Sequence, residues 1–143
     1  MIYFSIYLLI TYAGSPAVDS TSPFTDVPAG KWYSNAVAWA AANGVVNGVG
    51  HGMFDPDGDV TREQMTTMLV RYAKNVQKLD VTPKGSLSSF PDGGDVTNYA
   101  RIAMIWCVDN GIINGIDGRI APKNTATRAE FATIIMRLQN VIA

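Results

Sequence analysis

Two stretches of the chain carry apolar residues at the spacing of one helical face. Met65, Met68, Leu69 and Tyr72 form the first stripe, and Phe131, Ile134, Ile135 and Leu138 the second. Positions i, i+3, i+4 and i+7 fall on one side of an α-helix, so each stripe predicts an amphipathic helix, beginning at Thr61 or Thr127. Shorter helices are predicted from Tyr33 to Asn43 and from Asn98 to Asn110. Each is stopped by a glycine, Gly44 or Gly111, in the left-handed position that favours this residue. Apolar pairs follow, Val45-Val46 and Ile112-Ile113, and each pair leads into Asn-Gly, a strong turn signal. A second turn runs through Asp55-Pro56-Asp57-Gly58 or Ala121-Pro122-Lys123-Asn124. The predicted class is mainly α.

These elements occur twice in the same order. Phe90 follows Phe24 by 66 residues and Arg128 follows Arg62 by 66, whereas Trp106 and Gly111 follow Trp39 and Gly44 by 67. One residue is gained before the short helix and lost again after Gly115, and the similarity continues past both shifts. That is a tandem repeat. The units are residues 24–77 and 90–143, joined by a linker over 78–89. A lone helix pair cannot bury its apolar face, so the two units are expected to pack together.

Residues 1–23 stand outside this pattern. Met1 to Tyr12 is apolar, without lysine or arginine, and far short of the ~20 residues that span a bilayer. Two readings stay open: the remnant of a secretion signal lacking its basic start, or an apolar segment docked on the core. The net charge of −1 provides no broad basic field, which excludes nucleic acid as a partner. With one cysteine, Cys107, no internal disulfide forms, and its apolar neighbours predict a buried, inert thiol. The single histidine, His51, sits between glycines. A catalytic triad, a His-rich zinc site and a Cys/His dyad all lack their parts.

Each long helix opens with Thr-Arg-x-Gln/Glu, at Thr61-Arg62-Glu63-Gln64 and Thr127-Arg128-Ala129-Glu130. Thr61 with Gln64, and Thr127 with Glu130, read as capping boxes. The arginine is not explained by capping. A cation in the first turn meets the positive end of the helix dipole, at a cost of roughly 0.3–1 kcal/mol. Arg62 and Arg128 are therefore read as carboxylate ligands beside free helix amides. The alternative is an internal salt bridge, to Asp26 or Asp92.

Phe-x-Asp, a short helix, Gly-[Val/Ile]-[Val/Ile]-Asn-Gly and Thr-Arg-[Ala/Glu]-[Glu/Gln], in this order and twice over, resemble the S-layer homology repeat. The resemblance covers roughly residues 24–142. It implies a helical, three-pronged bundle of three repeats, with grooves between prongs that bind secondary cell-wall polysaccharide, often bearing pyruvylated N-acetylmannosamine. The arginine of the motif, here Arg62 and Arg128, would contact the acidic group. Asp26 and Asp92 match the family's first acid, and Gly48 and Gly115 its turn glycine near the groove. This chain departs from the pattern in three ways. It has two repeats, a partial bundle resembling a middle and a final prong, with the first missing or replaced by residues 1–20. Gln64 stands for the usual Glu. Arg119-Ile120 replaces Met53-Phe54, which would alter or close the second groove.

Other features have plainer explanations. Asp55, Asp57 and Asp59 lack the glycine and glutamate spacing of a calcium loop, so no metal is assigned. Trp39 and Trp106 share a register and read as core. Trp32, at the start of a helix, is the candidate for sugar contact. The acids sit at turns and helix ends, and no pair suits a glycosidase. The expectation is a non-enzymatic, extracellular module without cofactor, associated with the cell wall or S-layer and bound to an anionic wall polysaccharide. The competing reading is an assembly module that completes its bundle with another repeat or another copy, with Ile2, Phe4, Ile6 and Leu8 joining the exposed face.

Overall fold

The computed structural model describes residues 2–17 and 22–142, with side chains from Ser5 onward. Among the described residues five α-helices follow one another: α1 (Ile2–Tyr12), α2 (Ser34–Ala42), α3 (Arg62–Asn75), α4 (Asn98–Asp109) and α5 (Arg128–Ile142). A single 3-10 turn, Gly93–Asp95, precedes α4. Among the described residues there is no strand, only isolated bridges such as Thr61 with Thr125. α2 and α4 are the predicted short helices, and α3 and α5 the long ones. The stripe residues Met65, Met68, Leu69 and Tyr72 of α3, with Phe131, Ile134 and Leu138 of α5, are all buried, and Ile135 packs partly buried against them.

The two repeats are built alike because the same residues close the same turn. The Asp26 carboxylate accepts hydrogen bonds from the amides of Phe54 (2.8 Å) and Asp55 (2.7 Å). Asp92 accepts the equivalent bonds from Ile120 (2.9 Å) and Ala121 (2.8 Å). Asp55 and Ala121 both lie at positive φ, 59° and 51°, and the carboxylate bond holds each in that costly conformation. The opening phenylalanine then packs over the Asn-Gly turn. A Cβ on Gly48, at φ +83°, would meet the Met53 carbonyl at 2.5 Å and the Phe24 ring at 2.6 Å, so glycine is required there. Gly115 has the same role beside Phe90 and Arg119.

The N-terminal segment forms a helix on the core. α1 packs against α2 and α5, as α3 packs against α4, and Ile6, Leu9 and Ile10 are buried. It thus takes the place, beside the short helix of repeat one, that α3 takes beside the short helix of repeat two. Of the four residues expected on an exposed apolar face, Ile6 is buried and Leu8 partly buried against the core. The side chains of Ile2 and Phe4 lie outside the described part. No described helix is long and apolar enough to cross a membrane.

Tryptophan and cysteine follow their expected environments. Trp39 and Trp106 are buried, and the Trp106 indole donates to the Asp80 carbonyl at 3.2 Å. Burial without a partner charge pushes the Cys107 thiol far above the usual thiol range, so it is unreactive.

Candidate functional site

The amino terminus of α3 is closed by the second repeat. Thr61 caps it with its hydroxyl on the Gln64 amide (3.3 Å), and the Gln64 side chain returns the bond to the Thr61 amide (2.9 Å). The next two amides are also occupied: Arg62 donates to the Asn124 carbonyl (2.9 Å) and Glu63 to that of Pro122 (3.0 Å). No backbone donor of this first turn remains for a ligand. The expected open anion site at this helix start is thus replaced by a joint between repeats.

The Arg62 side chain belongs to the same joint. It is only 5% exposed. Its Nε donates to the Ile120 carbonyl (2.9 Å) and its Nη1 to Glu130 Oε2 (2.6 Å). An internal ion pair therefore exists, but its acid is Glu130 of the other repeat and not Asp26 or Asp92, whose oxygens hold their own turns. Glu130 differs from the expected capping box for the same reason. Its amide donates to the Thr127 hydroxyl oxygen (3.0 Å), yet its carboxylate turns away to a buried guanidinium, where a charge-assisted bond is worth more than a return bond to the cap. Gln64 instead completes its box, its side-chain oxygen accepting from the Thr61 amide. Arg128 is exposed at the start of α5.

A second latch involves a residue that the repeat register does not flag. Glu63 is buried, and its carboxylate accepts from the Thr97 amide (2.9 Å), the Thr97 hydroxyl (2.8 Å) and Lys123 Nζ (2.6 Å). Burial alone would raise its pKa; the bonds from Lys123 and Thr97 outweigh that and hold it below the ordinary 4.5. A folded pKa below the unfolded one stabilises the protein above the ordinary carboxylate range, and that stability is lost as pH falls through the folded value. Asp92, lowered by its backbone bonds against its burial, acts in the same direction. The melting temperature is accordingly expected to hold from neutrality to about pH 5 and to fall below it. Glu63→Gln should flatten that fall; an unchanged acid limb in circular dichroism melts would refute the assignment.

Two open grooves occupy equivalent places in the repeats. The first, about 340 Å³, runs between the Asn47-Gly48 turn and α3, with Thr67 and Arg71 on the helix and Tyr99 of α4 beyond. The second, about 270 Å³, runs between the Asn114-Gly115 turn and α5, with Thr133 and Arg137 on the helix and Arg62 with Glu130 at its end. Ile120 is buried where Phe54 is buried in repeat one, and the second groove stays open despite that exchange. The amides of Asn47, Gly48, Asn114 and Gly115 find no acceptor among the described residues. Arg71 makes no hydrogen bond or ion pair among them, and Arg137 gives one bond to the Ile112 carbonyl at 3.2 Å.

Charge is balanced alike in the two grooves. Arg71 beside neutral Gln64 leaves one positive charge in the first. In the second, Arg62 is cancelled by Glu130, and Arg137 leaves one again. Arg71 and Arg137 are 66 residues apart, the register of the long helices, and that offset is the sequence signal for them. Of the residues expected at a ligand site, Gly48 and Gly115 line the grooves, Arg62 reaches one from within its ion pair, and Asp26 and Asp92 sit in the turns behind. Trp32 lies apart, beside α1.

The sequence matches the S-layer homology domain family at residues 23–66 and 89–132. The chain belongs to that family. It is 36% identical over 116 residues to exoglucanase XynX of Acetivibrio thermocellus, covering 80% of this chain and 10% of that one. It is 31% identical over 125 residues to a surface-layer 125 kDa protein of Lysinibacillus sphaericus, covering 84% and 10%. With the S-layer protein sap of Bacillus anthracis the identity is 30% over 119 residues, covering 83% and 14%. The chain therefore spans a tenth to a seventh of the length of these relatives. What an enzyme and two surface-layer proteins share with it is the S-layer homology repeat, a small part of each of them.

Proposed function

We propose that the chain anchors its protein to the cell wall by gripping acidic sugars of a secondary wall polysaccharide, of the pyruvylated N-acetylmannosamine kind. The supporting observation is the pair of equivalent grooves. Each combines two backbone N–H groups without an acceptor among the described residues and one uncancelled guanidinium within a volume of monosaccharide size. A ketal carboxylate suits that set: the guanidinium supplies charge and a planar fork, and the turn amides supply directional donors. Because the wall polymer carries many such units, two modest sites acting together give retention that neither gives alone. No bond is made or broken, and no metal or cofactor has a part.

The relatives support the location. Surface-layer proteins and a polysaccharide-degrading enzyme each gain from being held at the cell surface, whatever their remaining domains do. Retention of the purified chain on wall polysaccharide before and after chemical removal of pyruvyl groups tests the reading. The intact polymer should hold the chain at least tenfold more tightly, about 1.4 kcal/mol. Equal retention of both would sink the carboxylate mechanism.

A further inference from the structure

A third groove, about 330 Å³, lies between α1 and α2, and its chemistry differs from the other two. Tyr7, Thr11, Ser15, Trp32 and Asn35 are among its walls, and no acidic or basic residue is among the described residues lining it. Trp32 is 58% exposed and Tyr7 42%, whereas the other two tryptophans are buried. An indole placed for packing alone would follow Trp39 and Trp106 inside. Two ring edges fix it instead at the surface: Tyr7 at 5.1 Å and 75°, and Tyr33 at 5.6 Å and 87°. Such edge-to-face pairs orient a ring and limit its motion.

The position of Trp32 gives it a further meaning. It precedes Tyr99 by 67 residues, the same offset as Trp39 to Trp106, so the two rings are repeat equivalents. Tyr99 overhangs α3 at the first groove, and Trp32 overhangs α1 at this one. The α1–α2 packing repeats the α3–α4 packing. The aromatic wall is thus retained, and enlarged from phenol to indole, where the arginine is absent. The Asn35 amide makes no hydrogen bond among the described residues, and the Thr11 oxygen, which donates to the Tyr7 carbonyl, can still accept.

We propose that the α1–α2 groove is a separate saccharide site for an uncharged pyranose, stacking its C–H face on Trp32 and hydrogen-bonding its hydroxyls to Asn35 and Thr11. The site rests on the reading that wall polysaccharide is the ligand, but not on the carboxylate grip. It would hold neutral units of the same polymer while the arginine grooves hold acidic ones.

The probe is the wall polysaccharide stripped of pyruvyl groups, added to the full chain while acrylamide quenching of tryptophan fluorescence is followed. With Trp39 and Trp106 buried, quenching reports Trp32, and the stripped polymer should protect it. Trp32→Ala should weaken binding of the stripped polymer about tenfold. Trp32→Phe, which keeps a ring between its two neighbours, should stay within about threefold and covers the case of an alanine variant that misfolds. Unchanged quenching at polymer concentrations that saturate the intact form, or native binding by a folded Trp32→Ala, would overturn the proposal. The reverse result, protection of Trp32 with no preference for pyruvylated polymer, would remove the acidic reading and leave this groove standing.

Discussion

Alanine at both Arg71 and Arg137 is expected to cut retention on pyruvylated polysaccharide by about 100-fold while leaving the fold intact. A hydrogen bond to a charged group contributes about 1.5–3 kcal/mol, and each substitution removes the one uncancelled cation among the described residues lining its groove. Arg71 can be removed at little structural cost because it holds nothing within the described residues. Arg137 gives up one bond, to the Ile112 carbonyl. Lysine at both positions should restore part of the affinity, since it keeps the charge and loses the planar fork. Affinity measured by surface plasmon resonance on immobilised polymer, beside circular dichroism of each variant, checks the result. Native affinity in the folded double-alanine variant would exclude the grooves as the acidic site.

Glu130→Ala is expected to cost about 3 kcal/mol of stability, near the lower end for breaking a buried pair, because Glu130 itself keeps some contact with water. The guanidinium of Arg62 would remain buried with only the Ile120 carbonyl for a partner. For a chain of this size that is a fall in melting temperature of about 9 °C. The joint variant Arg62→Met/Glu130→Leu should recover most of the loss, because an apolar pair of similar volume leaves no charge stranded. Thermal melts of the two variants decide the matter. A Glu130→Ala chain that melts like the native protein would show that the pair contributes nothing to holding the repeats together.

The repeat, its helices and their apolar faces were legible because they depend on near neighbours and on one period. The partner of Arg62 was not. A cation at a helix start signals that something anionic must come near, and sequence cannot say whether it comes from a sugar or from a carboxylate 68 residues away. Asp26 and Asp92 were conspicuous for their identical placement, but identical placement equally serves a turn that each repeat must close for itself. Arg71 and Arg137 carry no local signal, because an arginine late in an amphipathic helix looks like solvated surface. Only the fold shows the Asn-Gly turn lying across from them. Glu63 has Ala129 at its equivalent position, so a search for what the repeats share passes over it; its role exists only where one repeat meets the next. The docking of α1, one of the two readings its apolar sequence left open, uses a flank to which α2 and α5 both contribute, from different repeats.

The duplicated stretch and the object that folds are different things. Severing the chain in the linker would leave repeat one with two bare amide donors and a stranded guanidinium, and repeat two with the carbonyls of Ile120, Pro122 and Asn124 facing nothing. Duplication therefore multiplied a unit whose polar contacts are completed by its neighbour, and the pair of repeats carries a joint that neither carries alone.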